Sequence, residues 1–152
     1  MSTLAPVRLS KSKFVAGVQC LKRLYLQVHQ PELAGEADEE QQARLEQGYE
    51  VGILAQAAFP GGVLVDSGPD DLDAALVQTR SLIADPSVPA IFEATFQHRD
   101  VLVRVDILQR SRRNRRRLIE VKSSVEVKDH HLYDVAIQHH VVQGYGLDVS
   151  SA

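Results

Sequence analysis

Asp106, Glu120 and Lys122 are the residues of this chain whose types and spacing can do chemistry. Asp106 and Glu120 are equidistant from Arg113, so an antiparallel hairpin folded about Arg113 sets the two carboxylates directly across from each other. Facing residues in such a pair hold their Cβ atoms roughly 4.5–5.5 Å apart. Two carboxylates at that distance repel, and the arrangement makes sense if a cation lies between them. A hard divalent ion such as Mg²⁺ takes oxygen ligands and is commonly held by one or two carboxylates plus substrate phosphates. Lys122, two residues beyond Glu120 on the same face, sets an ammonium where it can meet a developing phosphate charge or orient a water. The competing reading is a solvated sheet face, which is where charges on half-buried strands usually belong.

Three runs must position these residues. Read with period two, Phe92, Ala94 and Phe96 share one face of a first strand, with Ile91, Glu93 and Thr95 on the other. Val101, Val103, Val105 and Ile107 repeat the division against Leu102, Arg104, Asp106 and Leu108. A third run sets Ile119 and Val121 against Leu118, Glu120 and Lys122. The three strands then share one apolar face and one face carrying Glu93, Arg104, Asp106, Glu120 and Lys122. A tight loop at His98-Arg99 places Glu93 opposite Arg104.

The remaining elements are helical. Ser10 or Ser12 can cap a helix, and Phe14, Val15, Val18, Leu21, Leu24, Tyr25 and Val28 recur at helical spacing up to Pro31. Cys20 falls inside this segment and reads first as a small buried hydrophobe. Residues 1–8 read as a loose tail. A long helix is predicted over 36–59, acidic at its start as the helix dipole favours. Its Gly48 and Gly52 share one side, open to close approach by a sheet. Pro60-Gly61-Gly62 is a turn, Val63 to Val65 a short strand, and Asp70 to Ala84 a helix ending before Pro86. A last helix starts at Asp129 or His130 and runs to about Gly144, with Asp134 and Gln138 one turn apart. The six histidines contain no His-x-x-x-His pair to put two imidazoles on one helix face.

Six of the eight residues from Arg110 to Arg117 are arginine. Such a tip is either a solvated turn or, beside a metal site, a phosphate clamp built from Arg112, Arg113, Arg115 and Arg116, because guanidinium groups grip phosphate in bidentate fashion. With nothing aromatic interleaved, base stacking is not expected there.

A length of 152 residues suits one domain with a real core, and 44% hydrophobic with 24% charged residues is ordinary for a globular protein. The net charge of −3 does not advertise nucleic-acid binding, so any such contact must come from local clustering. A single cysteine excludes an internal disulfide framework and suits a reducing compartment. Neither a signal-peptide core nor an apolar run long enough to span a bilayer is present. The expectation is a cytoplasmic protein without a membrane partner.

Asp106 followed by Glu120-Val121-Lys122 resembles the core of the PD-(D/E)XK nuclease superfamily, in its RecB-like branch. Leu9-Ser10-Lys11-Ser12-Lys13-Phe14 with Gln19-Cys20, Gly48-Tyr49-Glu50-Val51-Gly52 and Phe92-Glu93-Ala94-Thr95-Phe96 are similar to the nuclease region of a bacterial group of that branch. So are Val105-Asp106-Ile107-Leu108, Glu120-Val121-Lys122-Ser123-Ser124 and Asp134-Val135-Ala136-Ile137-Gln138. The resemblance implies an α/β fold with a restriction-endonuclease-like core: a three-stranded antiparallel meander with flanking helices. It also implies Mg²⁺- or Mn²⁺-dependent hydrolysis of DNA in repair, recombination or defence. Asp106 and Glu120 would hold the metal with Glu93 in support, and Lys122 and Gln138 would complete the catalytic set. A histidine ligand common in the branch falls at Gly52 here, so Glu50 or Glu93 would replace it. Val142 stands where many relatives have a tyrosine.

Some relatives bind a 4Fe-4S cluster through one cysteine before the nuclease core and three after it. Cys20 can be such a ligand only in a longer protein. On the same resemblance, residues 9–85 form a helical part and 90–146 a catalytic meander and helix. A fourth strand parallel to the third is then largely missing after Gly146. A chain truncated there would expose a sheet edge that invites homodimers, and would belong with further domains. Two other classes compete: a non-catalytic DNA-binding module using the arginine tip, and an interaction module of a larger DNA-processing protein.

Overall fold

The computed structural model describes residues 8–68 and 71–152. Strand β1 (Leu9–Ser10) leads into helices α1 (Lys11–Gln19), α2 (Leu21–His29) and α3 (Glu39–Ala57). Strand β2 (Val63–Leu64) and helix α4 (Leu72–Ala84) follow, then strands β3 (Ala90–His98), β4 (Val101–Arg110) and β5 (Arg116–Ile119), helix α5 (Asp129–Tyr145) and strand β6 (Val149–Ser151). The tail expected over 1–8 lies outside the described residues except for Arg8, and so does Asp70, the expected start of α4.

Caps explain where most helices start. Ser10 Oγ accepts from Lys13 N at 3.3 Å, Asp38 Oδ1 from Gln41 N at 2.8 Å, and Asp71 Oδ1 from Ala74 N at 3.1 Å. At α5 the roles reverse, and Lys128 N donates to His131 Nδ1 at 3.1 Å. Gly146, with φ 107°, ends α5 in the left-handed conformation that glycine adopts without penalty. One continuous helix is predicted up to Pro31, but the chain breaks at Cys20, which is extended (φ −162°, ψ 114°). Gly17 permits the elbow, since a Cβ there would sit 2.8 Å from the Leu24 side chain. Cys20 is consequently exposed, not buried.

The sheet is mixed, with strand order β2-β3-β4-β5-β6. The meander β3-β4-β5 is antiparallel as expected, β2 joins β3 in parallel, and β1 pairs in parallel with the start of β4. The helical part, 9–85, and the meander part, 90–146, both contribute strands to one sheet. A fourth strand is present, though short: β6 runs parallel to β5, pairing Val149 with Arg116 and Ser151 with Arg117. That part of the β5 edge is covered, which corrects the expectation of a bare edge.

The pleat breaks in the middle of β3. Glu93 takes φ 56°, and the ladder skips from Phe92↔Ile107 to Ala94↔Val105. A left-handed residue interrupts strict alternation, so faces assigned by period two exchange on passing it. Ile91, Ala94, Phe96, Val103, Val105, Leu108 and Leu118 pack into one core, together with Ala75 of α4 and Ile137, Val141 and Val142 of α5. Ala90, Phe92 and Ile107 pack on the opposite face, with Ala55 near the end of α3 and Phe59 just past it. Phe92 and Ile107 are thus parted from the residues expected beside them.

Register changes as well. The turn is Arg99-Asp100 with Arg99 at φ 53°, one residue later than His98-Arg99, so Thr95 and not Glu93 faces Arg104. Glu93 stands across from Asp106 instead. His98, at the end of β3, lies against Gly144 of α5, where any Cβ would collide with its imidazole.

Candidate functional site

The hairpin folded about Arg113 has the predicted register: Ile107↔Ile119, Leu108↔Leu118, Gln109↔Arg117 and Arg110↔Arg116. Asp106 and Glu120 are the next pair, but the ladder stops before them. β5 ends at Ile119, three residues short of the expected end at Lys122, and Asp106 Oδ2 takes the Val121 N–H at 2.7 Å. A carboxylate replaces the strand partner and holds the Glu120-Val121-Lys122 segment against β4.

Glu120 is the most heavily engaged side chain of the site. Lys11 Nζ contacts both of its oxygens, at 3.0 and 3.1 Å, Lys122 Nζ lies 2.6 Å from Oε1, and Gln138 Nε2 donates to Oε2 at 2.7 Å. Lys122 also reaches Asp134 Oδ2 at 2.7 Å, and Gln138 Nε2 donates to the Asp134 carbonyl at 2.9 Å. Asp134 and Gln138 are buried on α5, one turn apart, so both reach the hairpin together. Glu93, Asp106, Glu120, Lys122 and Gln138, named from sequence, are all brought to one region. Lys11 and Asp134 were given no role. The one sequence signal for Lys11 is a cation in the first turn of a helix that carries no acidic residue there.

The carboxylates differ electrostatically. Burial works most strongly against ionisation of Glu120, yet Lys11, Lys122 and Gln138 together outweigh it and hold the carboxyl below the usual glutamate range. Asp106 is pushed up by burial and by Glu120, with Lys11, the Val121 N–H and Lys122 only partly offsetting. Glu93 is pushed up by burial and then by Asp106, against Arg104 and Lys11. For Lys122, burial alone disfavours the charge, but Asp134 and Glu120 reverse the balance and raise its pKa.

A cavity of about 550 Å³ opens between α3 and the sheet, lined by Tyr49, Ile53, Glu93, Arg104, Asp106 and Val121 among others. Gly48 and Gly52 also line it, and a Cβ on either would meet open space, so their side of α3 faces the cavity and not the backbone of a strand. Glu50 is exposed and does not line this cavity, whose carboxylates are Asp66, Glu93 and Asp106. Glu120 and Lys122 border a second cavity of about 300 Å³ beside His131 and Leu132. Among the described residues, no three His, Cys, Asp or Glu side chains are already gathered as a metal centre. The donor set nevertheless suits a hard cation: Glu93 and Asp106 are oxygen donors, the Asp106 charge helps push the Glu93 pKa up, and no ion pair reaches either among the described residues.

The arginine tip divides. Arg112 and Arg113 are exposed, and Arg115 pairs with Asp148 at 3.0 Å. Arg116 is 3% exposed, with Nη2 donating to the Ile83 carbonyl at 3.2 Å. Arg110 donates to the same carbonyl at 3.1 Å and to that of Asp85 at 2.7 Å. These two guanidinium groups cap the carbonyl end of α4, where positive charge is favoured. Arg116 is therefore removed from the expected clamp, and Arg115 is already paired. Nor is the tip beside the carboxylates: from Asp106 to Arg110 the strand climbs about 13 Å at ~3.3 Å per residue. Cys20, the other predicted ligand, stays exposed at the α1–α2 elbow, and the chain has no second cysteine.

Comparison with protein-family models, with curated proteins and with solved structures finds no match to this chain. Among the described residues no helix is long and apolar enough to cross a membrane.

Proposed function

We propose that the chain is a metal-dependent deoxyribonuclease domain of the PD-(D/E)XK type, hydrolysing phosphodiester bonds with Mg²⁺ or Mn²⁺. One observation carries the reading: Asp106, Glu120 and Lys122 meet on one hairpin, with Glu93 from β3 and Gln138 from α5 converging on them. The antiparallel meander followed by α5 and the parallel β6 supports a restriction-endonuclease-like core.

Glu93, Asp106 and Glu120 would hold the ion. When bound, it supplies Lewis-acid stabilisation of phosphate charge and a more acidic water. Gln138 fixes the orientation of Glu120 through its amide. Lys122, shared between Glu120 and Asp134, keeps an ammonium beside the carboxylates, where it can bind a phosphate oxygen or orient a water. Arg104 lines the same cavity as Glu93 and Asp106 and brings positive charge to an otherwise acidic wall.

Calorimetric titration with Mn²⁺ and cleavage of labelled DNA test the reading. Wild type should bind the ion and cut, Asp106→Ala should lose both, and Lys122→Ala should keep metal but lose cutting. Equal metal affinity in wild type and Asp106→Ala would sink the site.

The saturation of Glu120 by two ammonium groups and an amide favours a second reading, a non-catalytic DNA-binding or interaction module whose ion network is complete as it stands. In that case added Mn²⁺ would leave the melting temperature and any DNA binding unchanged.

A further inference from the structure

We infer that Lys11 is an internal counterion that occupies Glu120 where a divalent ion would bind, so that metal entry requires its ammonium to leave the carboxylate. The inference rests on the metal-dependent reading above. Three observations carry it. Lys11 Nζ lies within 3.0–3.1 Å of both Glu120 oxygens, so it takes the whole front of the carboxylate and not a single lone pair. Lys122 and Gln138 already engage one oxygen each. Lys11 is therefore surplus to fixing the carboxylate's orientation, and it is the contact whose loss costs the architecture least.

The second observation is where Lys11 starts. It is the first residue of α1, whose first turn holds Lys11 and Lys13 and no acid. Cations at that end oppose the helix dipole, so its placement does nothing for α1 and is explained by the carboxylate it meets. The third is its anchorage. Leu9 N bonds the Asp100 carbonyl at 2.8 Å, β1 pairs with Val101 and Leu102, and Ser10 caps α1. The backbone of Lys11 is thus tied to β4, the strand that carries Asp106. Only the side chain, 23% exposed, has to swing away for the Glu120 oxygens to turn to another cation.

Calorimetric Mn²⁺ titration of the full chain after EDTA treatment tests this, with Lys11→Gln and Lys13→Gln compared to wild type. Removing the competitor should tighten Mn²⁺ binding about tenfold, the change that ~1.4 kcal/mol produces. Lys13→Gln removes equal charge from the same helix turn without touching Glu120, and screening should hold its effect to about twofold. Unchanged or weaker affinity in Lys11→Gln, while wild type binds, overturns the inference and leaves the nuclease reading standing. Equal gains in both variants reduce the effect to net charge and also overturn it. Absence of Mn²⁺ binding in every protein overturns the metal reading itself, and this inference with it. Should Lys11→Gln fail to fold, Lys11→Arg decides: a guanidinium keeps a two-oxygen grip, so its affinity should match or fall below wild type, and a gain refutes competition.

Discussion

The two ends of the β4–β5 hairpin are both crowded with charge, and they treat it differently. At the open end, Glu120 is buried under three donors while its neighbours Glu93 and Asp106 repel each other. At the tip, Arg110 and Arg116 are spent on the carbonyl end of α4, while Arg112, Arg113 and Arg117 stand in solvent. Saturated charges hold the architecture together, and the charges left over are where a ligand can still be met. On the open end that remainder is acidic and lines a cavity; on the tip it is basic and lines none as enclosed. On the proposed reading, the acidic cavity and not the arginine tip is the place to look for a ligand.

The largest effect should come from breaking the saturated end. Glu120→Ala strands two ammonium groups and the Gln138 amide, and urea denaturation should show a loss of about 2 kcal/mol. That is below the ~3–5 kcal/mol of a fully buried pair because both lysines keep some water contact. Next is Arg116→Met at the tip, which forfeits the bond to the Ile83 carbonyl and should cost about 1–2 kcal/mol. A smaller change of opposite sign is expected from Asp106→Asn. It keeps an acceptor for the Val121 N–H but removes facing like charges, so the metal-free protein should gain up to about 1 kcal/mol. Smallest of all, changing Arg112, Arg113 and Arg117 together to glutamine should move stability by no more than about 0.5 kcal/mol. Their loss should show instead as a flatter salt dependence of DNA binding, by up to about 0.9 in slope per phosphate contact removed.

Acid titration separates the same groups by sign. Glu93 and Asp106 are raised above their ordinary values of 4.5 and 3.8, so protonating them on the way down from neutral pH relieves repulsion and adds stability. Glu120 is lowered below its ordinary 4.5, so its contribution is complete above that value and is lost as pH falls through the folded-state pKa. Stability of the metal-free protein should therefore rise from neutral pH toward mildly acidic pH and then fall. Asp106→Asn should flatten the rise without moving the fall.

Much of this was legible in the sequence wherever geometry is local. The hairpin register about Arg113 follows from two arms of matched pattern, and it holds from Arg110↔Arg116 to Ile107↔Ile119, stopping one pair short of Asp106 and Glu120. The neighbouring hairpin was misread because Arg99 and Glu93 take left-handed conformations that nothing in their residue types announces. The turn at Arg99 moved Glu93 from Arg104 to Asp106, and the break at Glu93 parted Phe92 and Ile107 from the residues expected beside them. The partner of Lys11 could not be read from the sequence, since it meets Glu120 across 109 positions of chain. The arginine tip was overread for a similar reason: its charge is plain in the sequence, but the carbonyl end of α4 that takes up two of its six arginines is not. Cys20 breaks a helix with neither proline nor glycine at the break.

The contact of His98 with Gly144 makes α5 a lever. The helix is pinned at its last turn against the end of β3, and six residues earlier, about 9 Å at 1.5 Å per residue, it presents Gln138 to Glu120. A side chain at position 144 would meet the His98 imidazole, so either that ring turns aside or the last turn of α5 lifts from the sheet. Such a lift would be felt as a changed angle at the Gln138 amide, far from the substituted atom. Glycine at 144 thus lets the last turn of α5 lie close to β3, under two turns from the residue that meets Glu120.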